Sequence, residues 1–126
     1  MLNLILVASG GACGAVVRLI LSDLIKTYLY NNFYATILIN IIGSFFIGYI
    51  ISMGYVKNLS EDFIRYFLII GFLGSFTTFS AFSYDVIDLY LSNRVFVSFI
   101  YIIFSVVLCI VAAYVGMYIN KPWSKI

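Results

Sequence analysis

Four apolar runs, at about residues 2–21, 33–53, 63–91 and 95–119, take up nearly all of this 126-residue chain, and each is long enough to cross a bilayer. A spanning helix needs roughly 20 apolar residues, because it rises about 1.5 Å per residue through a hydrocarbon core about 30 Å thick. Composition points the same way. Hydrophobic residues make up 64% of the chain and charged residues 10%, more apolar surface than a soluble domain of this size can hide. Lipid is the solvent this chain suits. With no water to bond to, backbone polar groups there must be satisfied inside each segment, which selects helices. The expected fold is all-α: an integral membrane protein with one domain, residues 1–126, of four transmembrane helices. That leaves no length for a soluble catalytic domain, so neither an enzyme nor a nucleic-acid partner is expected.

The first run begins at Leu2 without a basic leader and reads as a retained span rather than a signal peptide. It ends in a polar connection with Asp23, Lys26, Asn31 and Asn32. The second connection holds Gly54, Lys57, Asn58, Ser60, Glu61 and Asp62, where Ser60 suits the N-cap of the third helix and the acids suit its first turn. Ser92-Asn93-Arg94 is a very short turn, and the fourth span stops before Lys121-Pro122. Cys13 and Cys109 fall inside spans and make no zinc or disulfide framework.

Lys and Arg in short loops set orientation. With the N-terminus inside, the inner side carries Lys57, Arg65, Lys121 and Lys125 and the outer side Lys26 and Arg94. So weak a bias motivates the hypothesis that the chain inserts both ways and pairs with itself antiparallel. Tags that label from one side only in every copy would remove it.

Small residues four apart, Gly10 with Gly14 and Ser44 with Gly48, let helix backbones approach closely in a solvent that supplies no hydrophobic force. Polar residues at midspan each need a partner, a wet cavity or a function. Span two offers Asn40 and Ser44. Span four offers Tyr101, Ser105 and Cys109 at i, i+4 and i+8, on one face. Two readings of that face stand: a polar track, or hydroxyls bonded back to their own helix. Arg18, near the end of span one, either snorkels to the headgroups or draws an anion into a vestibule. Asp85 and Asp88 sit in the second half of span three, nearer an interface.

The densest signal is the run Gly71-Phe72-Leu73-Gly74-Ser75-Phe76-Thr77-Thr78-Phe79-Ser80-Ala81-Phe82-Ser83. Glycines and consecutive hydroxyl residues make a poor lipid-facing helix, and span three is longer than a straight crossing needs. A break is expected, since non-helical backbone is tolerated at membrane depth where it is buried in protein or lines a cavity. Broken helices free carbonyl oxygens that can bind a hard cation such as sodium. Phe79 and Phe82 share a face if the helix resumes. They pack as core, or they turn electropositive ring edges toward an anion.

In Gly10-Gly11-Ala12-Cys13-Gly14-Ala15 followed by Arg18, in Asn40 with Ile41-Ile42-Gly43-Ser44-Phe45, and in Thr77-Thr78-Phe79-Ser80-Ala81-Phe82, the chain resembles the Fluc (CrcB) fluoride channels over essentially its whole length. The resemblance implies a passive fluoride-selective channel in the cell (inner, plasma) membrane of a microbe, exporting fluoride and conferring fluoride resistance. It implies an antiparallel, dual-topology homodimer in lipid, with two pores along the subunit interfaces. By motif, Phe79 and Phe82 line the fluoride path with ring edges, and Asn40, Thr78, Ser80, Tyr101 and Ser105 supply its polar groups. Arg18 stands at the vestibule, and main-chain oxygens of Gly74 and Thr77 hold a structural sodium ion (Na+). The chain departs from the pattern at Ser75, where a second glycine is frequent, at Ala81, where threonine is common, and at Cys109, where serine would continue the track. Two rivals are weighed against this reading: a small proton-coupled exporter, which wants a glutamate deep in span one, and a noncatalytic assembly subunit.

Overall fold

The computed structural model describes residues 1–29, 32–53 and 60–119. Asn31, Lys57, Asn58, Lys121 and Lys125 of the loop and charge arguments lie outside the described residues. The helices are α1 (Leu2–Leu29), α2 (Asn32–Ser52), α3 (Phe63–Leu73, with a closing turn at Gly74–Phe76), α4 (Phe79–Leu91) and α5 (Val95–Ile119). Helices α3 and α4 are the two halves of one long apolar segment, so the described residues form four helices of membrane-spanning length.

Helix α1 does not stop near Leu21. It continues to Leu29 and carries Asp23 and Lys26, read from the sequence as a connection, on its last turns. The polar residues there mark where the helix leaves lipid, not where it ends, because no Gly or Pro intervenes. Lys26 and Asp23, three apart, approach to 4.0 Å.

The expected cap at Ser60 is present: the Phe63 N–H donates to Ser60 Oγ at 3.2 Å. Helix α3 then winds in wide i→i+5 turns as far as Leu73, a rare form. After Phe76 the backbone extends, with φ −81° and ψ 149° at Thr77 and φ −147° and ψ 120° at Thr78. The expected break is thus two residues long and follows Ser75, which stays in the last helical turn. Helix α4 restarts from Thr78, whose Oγ1 accepts the Ala81 N–H at 3.2 Å as an N-cap.

Glycines decide which helices touch. A side chain at Gly10 or Gly14 would strike the α3 backbone at Phe67 or Phe72, so the first small-residue pair seats α1 on α3. One at Gly48 would strike the Ala113 carbonyl, and one at Gly116 the Phe45 carbonyl, which brings α2 against α5 from both sides. Ser44, one turn before Gly48, lines a cavity. Among the described residues the core has two clusters, one on each side of the break. Ile39, Leu73 and Phe76 pack with Val17 and Leu21 of α1. Phe82, Leu89 and Tyr101 pack with Phe33 and Ile37 of α2. The α4–α5 turn closes by two bonds, Asn93 N–H to the Tyr90 carbonyl at 3.1 Å and Arg94 N–H to the Leu89 carbonyl at 3.0 Å. Asn93 sits at φ 58°, the left-handed position asparagine tolerates after a helix.

Candidate functional site

The break in the third span would leave amide groups unpaired in hydrocarbon, and Asn40 supplies what they lack. Its Oδ1 accepts the Thr78 N–H at 2.9 Å, and its Nδ2 donates to the Thr78 carbonyl at 3.2 Å. One side chain thereby satisfies both main-chain groups of an extended residue. Thr77 closes the helix before the break, donating its N–H and its Oγ1 to the Leu73 carbonyl at 3.0 and 2.9 Å.

These bonds have a consequence for the carbonyls of Gly74 and Thr77. In a continuous helix their donors would be the N–H groups four residues on, those of Thr78 and Ala81. Both are engaged instead by side-chain oxygens, Asn40 Oδ1 and Thr78 Oγ1. Gly74 is also exposed on the subunit surface. Neutral carbonyl oxygens without helical donors are the hard ligands a sodium ion accepts.

Beside the break lies a cavity of about 310 Å³ between α2, α4 and α5. Asn40 and Ser44 line it from α2, Thr77, Thr78, Phe79 and Phe82 from the third span, and Ser105 and Cys109 from α5. The Phe79 and Phe82 rings lie 5.2 Å apart at 42°. They are not equivalent: Phe82 is 8% exposed and belongs to the core, whereas Phe79 is 75% exposed and points out of the subunit. Ser105 is 5% exposed, and its Oγ has no hydrogen-bond partner among the described residues.

A second recess, of about 200 Å³, is lined by Arg18 and Ser22 of α1, Thr36 and Ile39 of α2, and Thr78 and Ala81 at the break. Arg18 therefore faces the break. Thr78 belongs to both spaces, so the extended residue is the partition between a recess carrying a cation and a cavity lined by rings and hydroxyls. Ala81 brings no hydroxyl to the recess.

Two of the expected path residues stand off the cavity. Ser80 is exposed and its Oγ lies 2.9 Å from Thr78 Oγ1. The Tyr101 ring stacks on Phe82 at 5.5 Å and 21°, and its hydroxyl donates to Asp85 Oδ2 at 3.0 Å. Asp85, placed from the sequence nearer an interface, is 4% exposed and turned into the subunit. Its position three residues after Phe82, on the same face, was the only signal. That Tyr101 would meet it follows from how α4 seats on α5, where Ser98 Oγ also donates to the Val86 carbonyl at 3.1 Å.

The family model described as CrcB-like protein, Camphor Resistance (CrcB) matches residues 5–117. A Campylobacter jejuni protein named Fluoride-specific ion channel FluC is 40% identical over 123 residues, 96% of this chain and 100% of its own. A Flavobacterium psychrophilum protein of the same name is 39% identical over 118 residues, 91% of this chain and 94% of its own. One from Dehalococcoides mccartyi is 35% identical over 120 residues, 94% and 92% of the two chains.

Proposed function

The chain belongs to the CrcB-like family, and from that premise we propose that it is a passive, fluoride-selective channel that lets fluoride leave a microbial cell across its inner membrane. The observation that carries the reading is the two-residue break at Thr77-Thr78, set between the Arg18 recess and the cavity of Phe79, Phe82 and Ser105. Fluoride is small and strongly hydrated. A selective pore must exchange its water for several weak donors in a narrow space, as other channels combine constriction with lining groups. The ring edges of Phe79 and Phe82 and the hydroxyls of Ser105, Ser44 and Thr78 are such donors. The membrane potential, worth about 2.3 kcal/mol per charge per 100 mV, drives an anion out of a negative cell without a coupled ion.

A dimer completes the site in this reading. Phe79 and Gly74 are both exposed on the subunit surface, and a carbonyl left without a donor at a helix break is costly against lipid. A second copy, antiparallel as the weak charge bias allows, would cover both. A sodium ion held by main-chain oxygens of Gly74 and Thr77 would lock the two breaks together; it would offset carbonyl dipoles and take no part in conduction.

Of the rival functions, a proton-coupled exporter wants a deep acid in span one, and α1 has no carboxylate before Asp23. Fluoride-electrode recording of efflux from liposomes carrying the purified protein tests the proposal. Fluoride release in response to a potassium diffusion potential, with no proton gradient or nucleotide, is expected. Release no faster than from protein-free liposomes would overturn it, and release only with a proton gradient would favour the exporter.

A further inference from the structure

The surface of the subunit carries an apolar groove that the proposed path does not use. It runs between the end of α4 and the start of α5, with a volume of about 230 Å³. Val86, Ile87 and Tyr90 line it from α4, and Val95, Phe99 and Ile102 from α5. Ser98 lines it too, but its Oγ is already committed to the Val86 carbonyl at 3.1 Å. Tyr90 and Phe99 are 59% and 62% exposed, so the groove opens outward instead of closing as core. From the break at Thr78, Val86 and Tyr90 lie roughly 12 and 18 Å along the helix axis, at about 1.5 Å per residue. A second copy seated on Phe79 and Gly74 makes its contact at the break, whereas the groove lies at the end of the spans, where hydrocarbon meets headgroups.

An acyl chain in the groove discriminates nothing by itself, because lipid tails are as apolar as the side chains they touch. Selectivity has to come from the polar end, and there stands Arg94, next to Val95. Arg94 is exposed, and its N–H is held by the Leu89 carbonyl at 3.0 Å, which ties the root of the side chain to the end of the groove. Of the two cations on this side of the membrane, Lys26 already approaches Asp23, while Arg94 forms no ion pair among the described residues. The opening N–H groups of α5, before the bond from Ser98 N–H to the Arg94 carbonyl, add partial positive charge. The acids of α4 face elsewhere. Asp88 lies about 200° around the helix from both Val86 and Tyr90, and Asp85 is buried against Tyr101.

We infer that this groove binds an anionic phospholipid, with an acyl chain between α4 and α5 and the phosphate on the Arg94 guanidinium. The guanidinium offers a phosphate two parallel N–H donors. A zwitterionic lipid presents the same phosphate together with its own cation, which Arg94 repels; phosphatidylglycerol has no such cation. One arginine beside an anionic lipid surface contributes about fivefold in affinity. The inference needs only the membrane-spanning fold and stands apart from what the channel conducts.

The test puts the photo-crosslinker p-benzoylphenylalanine in place of Phe99 in the full chain. The protein is reconstituted in liposomes of equal parts phosphatidylglycerol and phosphatidylcholine with matched acyl chains, and the mass of its photo-adducts is read. Lipid adducts are expected, with phosphatidylglycerol exceeding phosphatidylcholine about fivefold. Arg94→Gln should equalise the two lipids, and Arg94→Lys should keep most of the preference. Equal labelling in the parent protein would overturn the inference, as would a preference that Arg94→Gln leaves intact, or no lipid adduct at all. An adduct with the mass of a second chain would also overturn it, by assigning the groove to contact between copies. If the protein labelled at Phe99 does not fold, the same comparison is made from Ile87, 57% exposed on the α4 wall of the groove.

Discussion

Asn40 and Thr78 face each other through two hydrogen bonds, 2.9 Å from the Thr78 N–H to Oδ1 and 3.2 Å from Nδ2 to the Thr78 carbonyl. The pair joins α2 to the break in the third span. It makes Asn40 the residue that allows the chain to be non-helical there, whatever else its amide touches.

Asn40→Leu should therefore act first on structure. It leaves an N–H and a C=O unpaired, at about 1–3 kcal/mol for each buried group. A fall in unfolding free energy of roughly 2–6 kcal/mol is expected, with fluoride flux reduced at least tenfold. A variant with wild-type stability and reduced flux would assign Asn40 to the ion path alone.

Phe82→Ile tests the ring-edge path. The substitution keeps an apolar side chain in the core cluster with Leu89 and Tyr101 but removes the electropositive ring edge. Flux should drop at least tenfold in liposomes while the protein keeps its oligomeric state on size exclusion. Undiminished flux would remove Phe82 from the pore wall.

Tyr101→Phe should leave the Asp85 carboxyl, 4% exposed, without its hydroxyl partner. A loss of about 1–3 kcal/mol is expected. Adding Asp85→Asn to Tyr101→Phe should cost less than the sum of the single changes, because the two share one bond. Additivity in chemical denaturation would show that the pair does not act as a unit.

Gly48→Ala and Gly14→Ala place a Cβ against the backbone of a neighbouring helix, and overpacking of this kind costs about 1–3 kcal/mol. Gly74→Ala should be mild, since its Cβ would meet only the Ile69 carbonyl, at 3.6 Å. Comparing the three in one unfolding series separates the seams inside the subunit from a glycine on its surface.

Replacing sodium by N-methylglucamine throughout purification and reconstitution should lower the fraction of protein that conducts, and returning sodium should restore it. Equal flux in the two preparations would exclude a structural role for sodium at the Gly74 and Thr77 carbonyls.

The chain alone determined that four helices cross a bilayer, because hydropathy and segment length depend on no partner. It also determined that the third helix breaks within Gly71–Ser83, since glycines and adjacent hydroxyl residues are weak helix formers. Helix α1 runs on to Leu29, past the span end read at about Leu21 or slightly beyond, because a charged residue does not by itself end a helix. Asn40 was visible as a polar residue in need of a partner, but the partner is 38 positions away and is chosen by the seating of α2. Tyr101, Ser105 and Cys109 share a face by spacing alone; that Tyr101 turns to Asp85 while Ser105 and Cys109 open on the cavity was decided by the contact of α5 with α4 and α2. Helix periodicity says which side chains point together. Only the packing of one helix on another, governed by where a glycine lets two backbones meet, says what they point at.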